Sequence, residues 1–195
     1  MTQEFIAVDI ETTGTDHIYS GIYEIGAVHI KDGKVVGEFS SYVKTNRPLP
    51  LHVLERRGLT SESYKKFPTY QYALSEFLKF THGKVLVFHN KSFDERFLRY
   101  KIRRKLNYDL KNPTLCTLEL FKEQIKDFPN YKLGTIATSL GIINNSPHEA
   151  LNDARVCADI MLCLLGKEPV ATIAHTQPTG QASPVSLTEL ILEES

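Results

Sequence analysis

The stretch Glu4-Phe5-Ile6-Ala7-Val8-Asp9-Ile10-Glu11-Thr12-Thr13-Gly14 decides the fold, because it is typical of a strand that carries two acids and ends in a turn. Side chains alternate between the two faces of a strand, so Asp9 and Glu11 project side by side. Adjacent carboxylates repel each other unless a proton or a cation lies between them, which favours a divalent metal held by oxygen ligands. For this pair alone, an acid solvated at the frayed strand end is the alternative.

The pattern around this strand predicts a mixed α/β sheet with helices on its faces. Two further strands, joined by the hairpin signal Asp32-Gly33, precede a region in which helices alternate with a strand. The predicted strands are 4–11, 23–30, 35–43 and 84–88, and the predicted helices are 51–57, 69–80, 92–106, 117–124, 133–140 and 149–165.

Composition separates a domain at 1–165 from a tail at 166–195. The tail is rich in Pro, Thr, Gln, Ser, Gly and Ala, which predicts a flexible segment. Its apolar island at 185–192 either docks as a short helix on a polymerase, a sliding clamp or another protein, or is incidental. Lys+Arg and Asp+Glu both number 23, so net charge identifies no partner. Three cysteines without a Cys-x-x-Cys spacing, and the lack of a signal or membrane-spanning stretch, favour the cytoplasm.

Asp94 is a third candidate acid, because it lies in the first turn of a helix that directly follows a buried strand. Ligand sites gather at such junctions in α/β sheets. Alternatively, Asp94 only complements the helix dipole. The sequence Ser92-Phe93-Asp94-Glu95 also predicts a capping box at the start of this helix.

Asp153 and His148 complete the set of candidate residues. Asp153 falls on or beside the apolar stripe of the last helix, where a carboxylate needs a metal or a basic partner. Five helical residues rotate by about 140°, so His148 shares a face with Asp153 only if it precedes the helix. The competing interpretation of Ser146-Pro147-His148-Glu149 is a capping box that leaves His148 on the surface.

Four motifs, in this order, resemble those of the DEDDh-type exonucleases of the DEDD superfamily, which includes the proofreading (epsilon) subunit of bacterial replicative DNA polymerase. They are Asp9-Ile10-Glu11-Thr12-Thr13-Gly14, Glu24-Ile25-Gly26-Ala27-Val28, His89-Asn90-Lys91-Ser92-Phe93-Asp94 and His148-Glu149-Ala150-Leu151-Asn152-Asp153-Ala154. The resemblance covers about residues 3–165. It implies a ribonuclease H-like fold, in which the first strand lies at the centre of a five-stranded mixed sheet.

The resemblance also implies a metal-dependent 3′–5′ exonuclease that releases nucleoside 5′-monophosphates from single-stranded or mismatched DNA, with a role in replication or repair. Two Mg²⁺ or Mn²⁺ ions are expected, and His148 is expected to act as the general base. The expected metal ligands are Asp9, Glu11, Asp94 and Asp153. The expected substrate contacts are Thr12, Thr13, Gly14, His89, Asn90 and Arg57.

One position departs from the family pattern, since Arg57-Gly58-Leu59-Thr60 stands where many members carry His-Gly-Ile-Thr. An arginine there can still contact a phosphate or stack on a base. Three alternative functions remain open: an exoribonuclease acting on tRNA or short RNA, an inactive module that recruits a polymerase, and a nuclease of the same fold that cuts internally. Nothing in the sequence recognises the 2′-OH that distinguishes RNA from DNA.

Overall fold

Strand β1 (Glu4–Thr12) lies at the centre of a five-stranded mixed sheet in a computed structural model that describes residues 3–46 and 48–171. The other strands are β2 (Ile22–Lys31), β3 (Lys34–Tyr42), β4 (Val85–Phe88) and β5 (Thr114–Cys116). The helices are α1 (Leu51–Arg56), α2 (Ser61–Lys65), α3 (Tyr70–Thr81), α4 (Lys91–Leu106), α5 (Thr117–Gln124), α6 (Leu133–Ser139) and α7 (Ala150–Leu164).

The strand order is β3-β2-β1-β4-β5. The first three strands form an antiparallel meander, and β4 and β5 add to β1 in parallel. The predicted mixed sheet with flanking helices is therefore confirmed. Residue patterning did not locate β5 or α2, because three and five residues are too few to display a period, and β5 is fixed by its pairing with β4.

Alternation along β1 separates two apolar cores on opposite faces of the sheet. Phe5 and Ala7 pack with α5, α6 and α7, whereas Ile6 and Val8 pack with α3 and α4. The odd-numbered residues continue as Asp9 on the α7 side. Strand β1 thus contributes side chains to both cores and directs its acids toward a single helix, α7.

The start of α4 differs from the predicted capping box. The helix begins at Lys91, so Ser92 lies inside its first turn and does not cap it. Asn90 precedes the helix with φ 65°, a left-handed conformation that Asn tolerates better than most residues. This turn carries the chain from β4 into α4 and removes the need for a serine cap.

Packing continues past the predicted boundary at residue 165. The buried Asp159 carboxylate of α7 accepts hydrogen bonds from the N–H groups of Val170 and Ala171, at 2.7 and 2.8 Å, and Ala171 packs against the core. The rest of the predicted tail, 172–195, lies outside the described residues, as does its apolar island. Within the described chain, no helix is both long and apolar enough to cross a bilayer.

Candidate active site

Residues from β1, the loop before α7 and α7 itself meet at the carboxyl end of β1. Asp153 lies in the first turn of α7, the helix that packs on the face carrying Asp9. Glu11, His148 and Asp153 each offer one ligand atom, and these three atoms lie within 4.8 Å of one another. Residues far apart in the chain therefore form one oxygen- and nitrogen-rich cluster.

Gly26 allows this approach. It pairs with Asp9 across the β1–β2 ladder, and a Cβ atom built on it would lie 2.2 Å from the backbone of both Ala150 and Leu151. No side chain fits in that space, because the contacts are with backbone that cannot rotate away. The glycine therefore lets the first turn of α7 rest directly on β2, which brings Asp153 to β1.

The loop before α7 presents His148 with φ 65°. Its backbone N–H donates to Asp153 Oδ2 at 2.8 Å, and Asn144 Nδ2 donates to Asp153 Oδ1 at 2.9 Å. The predicted position of His148 ahead of the helix is confirmed, and the capping-box alternative is wrong because Glu149 is the N-cap residue. The hydrogen-bond partners of Asp153 among the described residues are neutral, so the salt-bridge alternative is also wrong.

Asp94 reaches the same place from the other side of the sheet. It is 5% exposed, and its Oδ1 accepts a hydrogen bond of 3.3 Å from the backbone N–H of Ile10. Asp94 thus joins the first turn of α4 to β1 next to Asp9. This contact goes beyond complementing the helix dipole, which was the alternative for this residue.

Crowding of these acids makes their charged forms unfavourable. Burial, then the charges of Asp94, Asp153 and Glu11, hold the pKa of Asp9 well above its usual range. Burial raises the pKa of Asp94 to about 8, and burial also raises the pKa of Glu11. A divalent cation would replace these repulsions with attraction, and carboxylate oxygens are the ligands that Mg²⁺ and Mn²⁺ prefer. The donor set therefore fits such ions.

We expect the protein to lose stability in EDTA as the pH rises from 6 to 8.5. A carboxyl whose pKa is raised by folding stabilises the folded state below its unfolded pKa, and that contribution disappears as the pH rises through its folded pKa. For Asp94 this window runs from 3.8 to about 8. Melting temperatures with and without Mg²⁺ would measure the effect. In Asp94→Asn the decrease should be smaller, and an equal decrease would contradict the assignment to Asp94.

A cleft of about 620 Å³ lies in front of the acids. Its lining includes the four predicted metal ligands and His148. It also includes residues that patterning did not single out, two of them lysines: Lys122, Asn130, Tyr131, Lys132 and Leu133. Lys122 lies in α5, Leu133 begins α6, and the other three lie in the polar loop between these helices. Only the fold brings that loop to the acids.

His89 and Asn90 also line this cleft. His89 Nε2 lies 2.9 Å from the carbonyl oxygen of Tyr131 and therefore donates to it, which leaves Nδ1 to accept from Thr117 Oγ1 at 2.9 Å. Burial lowers the pKa of His89 to about 4, so the ring is neutral near pH 7. Its ring nitrogens hold the loop of Tyr131 in place, and Asn90 is the more exposed of the two.

Thr12, Thr13 and Gly14 close a loop beside the site. Thr12 Oγ1 donates to the carbonyl oxygen of Gly14, and Thr13 exchanges two hydrogen bonds with Gly21, all three at 2.8 Å. The described residues that line the cleft do not include these three. Their contact with a terminal nucleotide stays a prediction.

Arg57 lies outside the cleft lining. Its side chain is 5% exposed and contacts the carboxylates of Glu24 and Glu149. The guanidinium is thus engaged by protein groups, which argues against the predicted contact with a phosphate or a base. The neighbouring Arg56 is exposed, and its charge acts on Tyr23, whose hydroxyl donates to Glu11 Oε2 at 3.2 Å.

Most of the chain matches a known protein family. Residues 6–161 match the exonuclease family, RNase_T. The chain belongs to the exonuclease family. It is therefore a nuclease, as the resemblance predicted. The four acids and the histidine in the cleft are the residues for which that resemblance predicted a catalytic role.

Two relatives differ in how much of their own length this chain matches. A PolC-type DNA polymerase III of Caldanaerobacter subterraneus is 38% identical over 164 residues, which is 84% of this chain and 12% of that protein. The DNA polymerase III subunit epsilon of Aquifex aeolicus is 30% identical over 161 residues, which is 83% of this chain and 80% of that protein. The chain thus spans a small part of the first relative and most of the second.

Solved structures share the fold. E. coli exonuclease I in complex with a dT13 oligonucleotide superimposes with a TM-score of 0.66 at 16% identity, covering 80% of this chain and 39% of that one. Exonuclease X in complex with 5′ overhanging duplex DNA gives a TM-score of 0.62 at 24% identity, covering 80% and 88%. The predicted ribonuclease H-like architecture is confirmed at the level of the fold.

Proposed function

We propose that the protein is a 3′–5′ exonuclease that hydrolyses DNA from a free 3′ end and releases nucleoside 5′-monophosphates. The observation that carries the proposal is the meeting of Asp9, Glu11, Asp94, Asp153 and His148 in one cleft. A cleft that is lined by both acids and lysines suits a substrate of phosphodiesters, because the acids would bind cations and the lysines would bind phosphate oxygens.

Each residue then has a distinct role. Asp9, Glu11 and Asp153 would hold one Mg²⁺ or Mn²⁺, and Asp9 with Asp94 would hold a second. When bound, such ions would supply positive charge that stabilises the attacking and leaving oxygens of a phosphodiester. His148 would accept the proton of the attacking water, since its imidazole is exposed in the cleft and a neutral imidazole nitrogen can take up a proton.

DNA is favoured over RNA by similarity. The PolC-type and epsilon relatives are DNA polymerase III proteins, and the exonuclease I and exonuclease X structures hold DNA. The same similarity supports a role in replication or repair, near a polymerase or a sliding clamp. A cytoplasmic location is proposed for the same reason.

The test is digestion of oligonucleotides that share one sequence. 5′-labelled single-stranded DNA should give a ladder that shortens from its 3′ end, and a duplex with a mismatched 3′ end should be trimmed. Circular DNA should stay intact, because it has no end, and RNA should be cut more slowly. Cleavage of the circle would contradict the proposal, and faster cleavage of RNA would establish the exoribonuclease alternative. Asp153→Asn, purified in parallel, controls for contaminating nucleases.

A further inference from the structure

The exposed imidazole of His148 depends on its backbone for its position. Within the described chain, no hydrogen bond to its ring nitrogens is formed. The backbone at His148 has φ 65°, which is unfavourable for a residue other than glycine and persists only where neighbours enforce it. The groups that hold the adjacent residues therefore determine where the ring lies.

Glu149 provides one such attachment. It is the N-cap residue of α7, but its side chain makes no capping hydrogen bond. Instead, Glu149 Oε1 lies 2.9 Å from Arg57 Nη1, in an ion pair that lacks hydrogen-bond geometry and whose Glu149 side chain is 49% exposed. The residue directly after His148 is thus tied to a different element of the fold, at the end of α1.

Arg57 is itself held firmly. Its Nη2 donates to both carboxylate oxygens of Glu24 on β2, at 2.6 Å each, and lies 3.4 Å from the hydroxyl of Tyr42 on β3. The side chains of Arg57 and Glu24 are 5% and 4% exposed, so this ion pair is shielded from water and salt. A buried, paired guanidinium is a fixed point to which Glu149 can be attached.

We infer that Arg57, acting through Glu149, is a positioning residue that holds His148 at its place in the active site. The ion network Glu24–Arg57–Glu149 joins the rigid sheet to the residue after the general base. Two backbone contacts with Asp153 add to it: the His148 N–H donates to its carboxylate, and the Glu149 carbonyl accepts from its N–H, both at 2.8 Å. The ion pair with Arg57 is the side-chain attachment on the C-terminal side of His148. This inference rests on the proposed role of His148 as the base.

The experiment compares Glu149→Ala with Glu62→Ala in the full chain. Glu62 also pairs with a basic residue, Lys65, but lies on the surface of α2. We expect Glu149→Ala to lower kcat about tenfold with KM for the oligonucleotide unchanged, since displacing a catalytic group by about 1 Å can cost up to 100-fold. Glu62→Ala should match the wild type. Arg57→Lys keeps the charge but loses the guanidinium that contacts both Glu24 and Glu149, so it should resemble Glu149→Ala.

A second readout does not depend on catalysis. In the metal-free protein, the NMR signal of the His148 Cε1–H should shift and broaden in Glu149→Ala, and stay unchanged in Glu62→Ala. Melting temperatures would show that each variant is folded. An unchanged His148 signal in both Glu149→Ala and Arg57→Lys would overturn the inference.

Double variants separate this inference from the proposed function. If Glu149 acts through His148, then adding Glu149→Ala to His148→Ala should lower kcat no further. A further tenfold loss in that background would overturn the positioning role and leave the base intact. If His148→Ala alone has full activity, the proposed base is wrong, and the NMR comparison still decides whether Arg57 and Glu149 hold the residue.

Discussion

Asp9→Asn should abolish hydrolysis and at the same time make the metal-free protein more stable. The activity should fall by at least about three orders of magnitude, equivalent to about 4 kcal/mol, because Asp9 would contact both metal ions. The stability should rise because burial, and then the charges of Asp94, Asp153 and Glu11, raise the pKa of Asp9, so its charge opposes folding at neutral pH. An asparagine keeps the shape and removes that charge.

The two effects are measured separately. Hydrolysis of 5′-labelled single-stranded DNA with Mg²⁺ gives the rate, and the melting temperature in EDTA at pH 8 should rise by about 2–4 °C. Asp109→Asn is the matched control, since Asp109 is exposed and pairs with Arg103 on the surface. A variant that keeps its activity would disprove the metal assignment. A lower melting temperature would mean that the charge of Asp9 does not oppose folding.

His148→Ala should lower kcat by about 10²–10⁴-fold, the usual contribution of a general base, and leave KM for DNA within about twofold. The imidazole is exposed and lies beside Glu11 and Asp153, so its loss should create no cavity in the core. The acids that would bind the metals all remain. The melting temperature should therefore change little.

Steady-state rates at several DNA concentrations, together with Mn²⁺ titration by calorimetry, would test this separation. His17→Ala provides a control histidine, which packs on Tyr100 of α4. If kcat and the affinity for DNA fall together, His148 binds substrate and is not the base. If Mn²⁺ affinity falls instead, His148 is a metal ligand.

Both expected results rest on residues that the sequence already identified, because their signals are local. Alternation along β1 placed Asp9 and Glu11 on one face, and the change from a buried strand to a helix marked Asp94. The spacing between His148 and Asp153 excluded a shared helical face but left a capping box as an alternative, and the structure decided for a histidine ahead of α7. The three-strand meander and most helices followed from periods of 2 and 3.6 residues.

Short elements and contacts between distant segments could not be predicted in this way. Strand β5 exists because β4 offers it hydrogen bonds, and no period is visible in three residues. Lys132 lies in the cleft because His89 holds the neighbouring residue, Tyr131, and with it the loop against the site. A loop has no periodicity, so its destination is set by partners that come from elsewhere in the chain.

Arg57 shows the difference most clearly. From the sequence, an arginine beside the motif Gly58-Leu59-Thr60 was equally suited to a phosphate or a base. The tertiary structure instead buries it between Glu24 and Glu149, because the first turn of α7 rests on β2 at Gly26 and brings Glu149 within reach. The sequence by itself determined which acids form the site on β1. Only the packing of α7 on the sheet decided which charged groups hold that site together, since the direction of a long side chain depends on partners that its own segment does not contain.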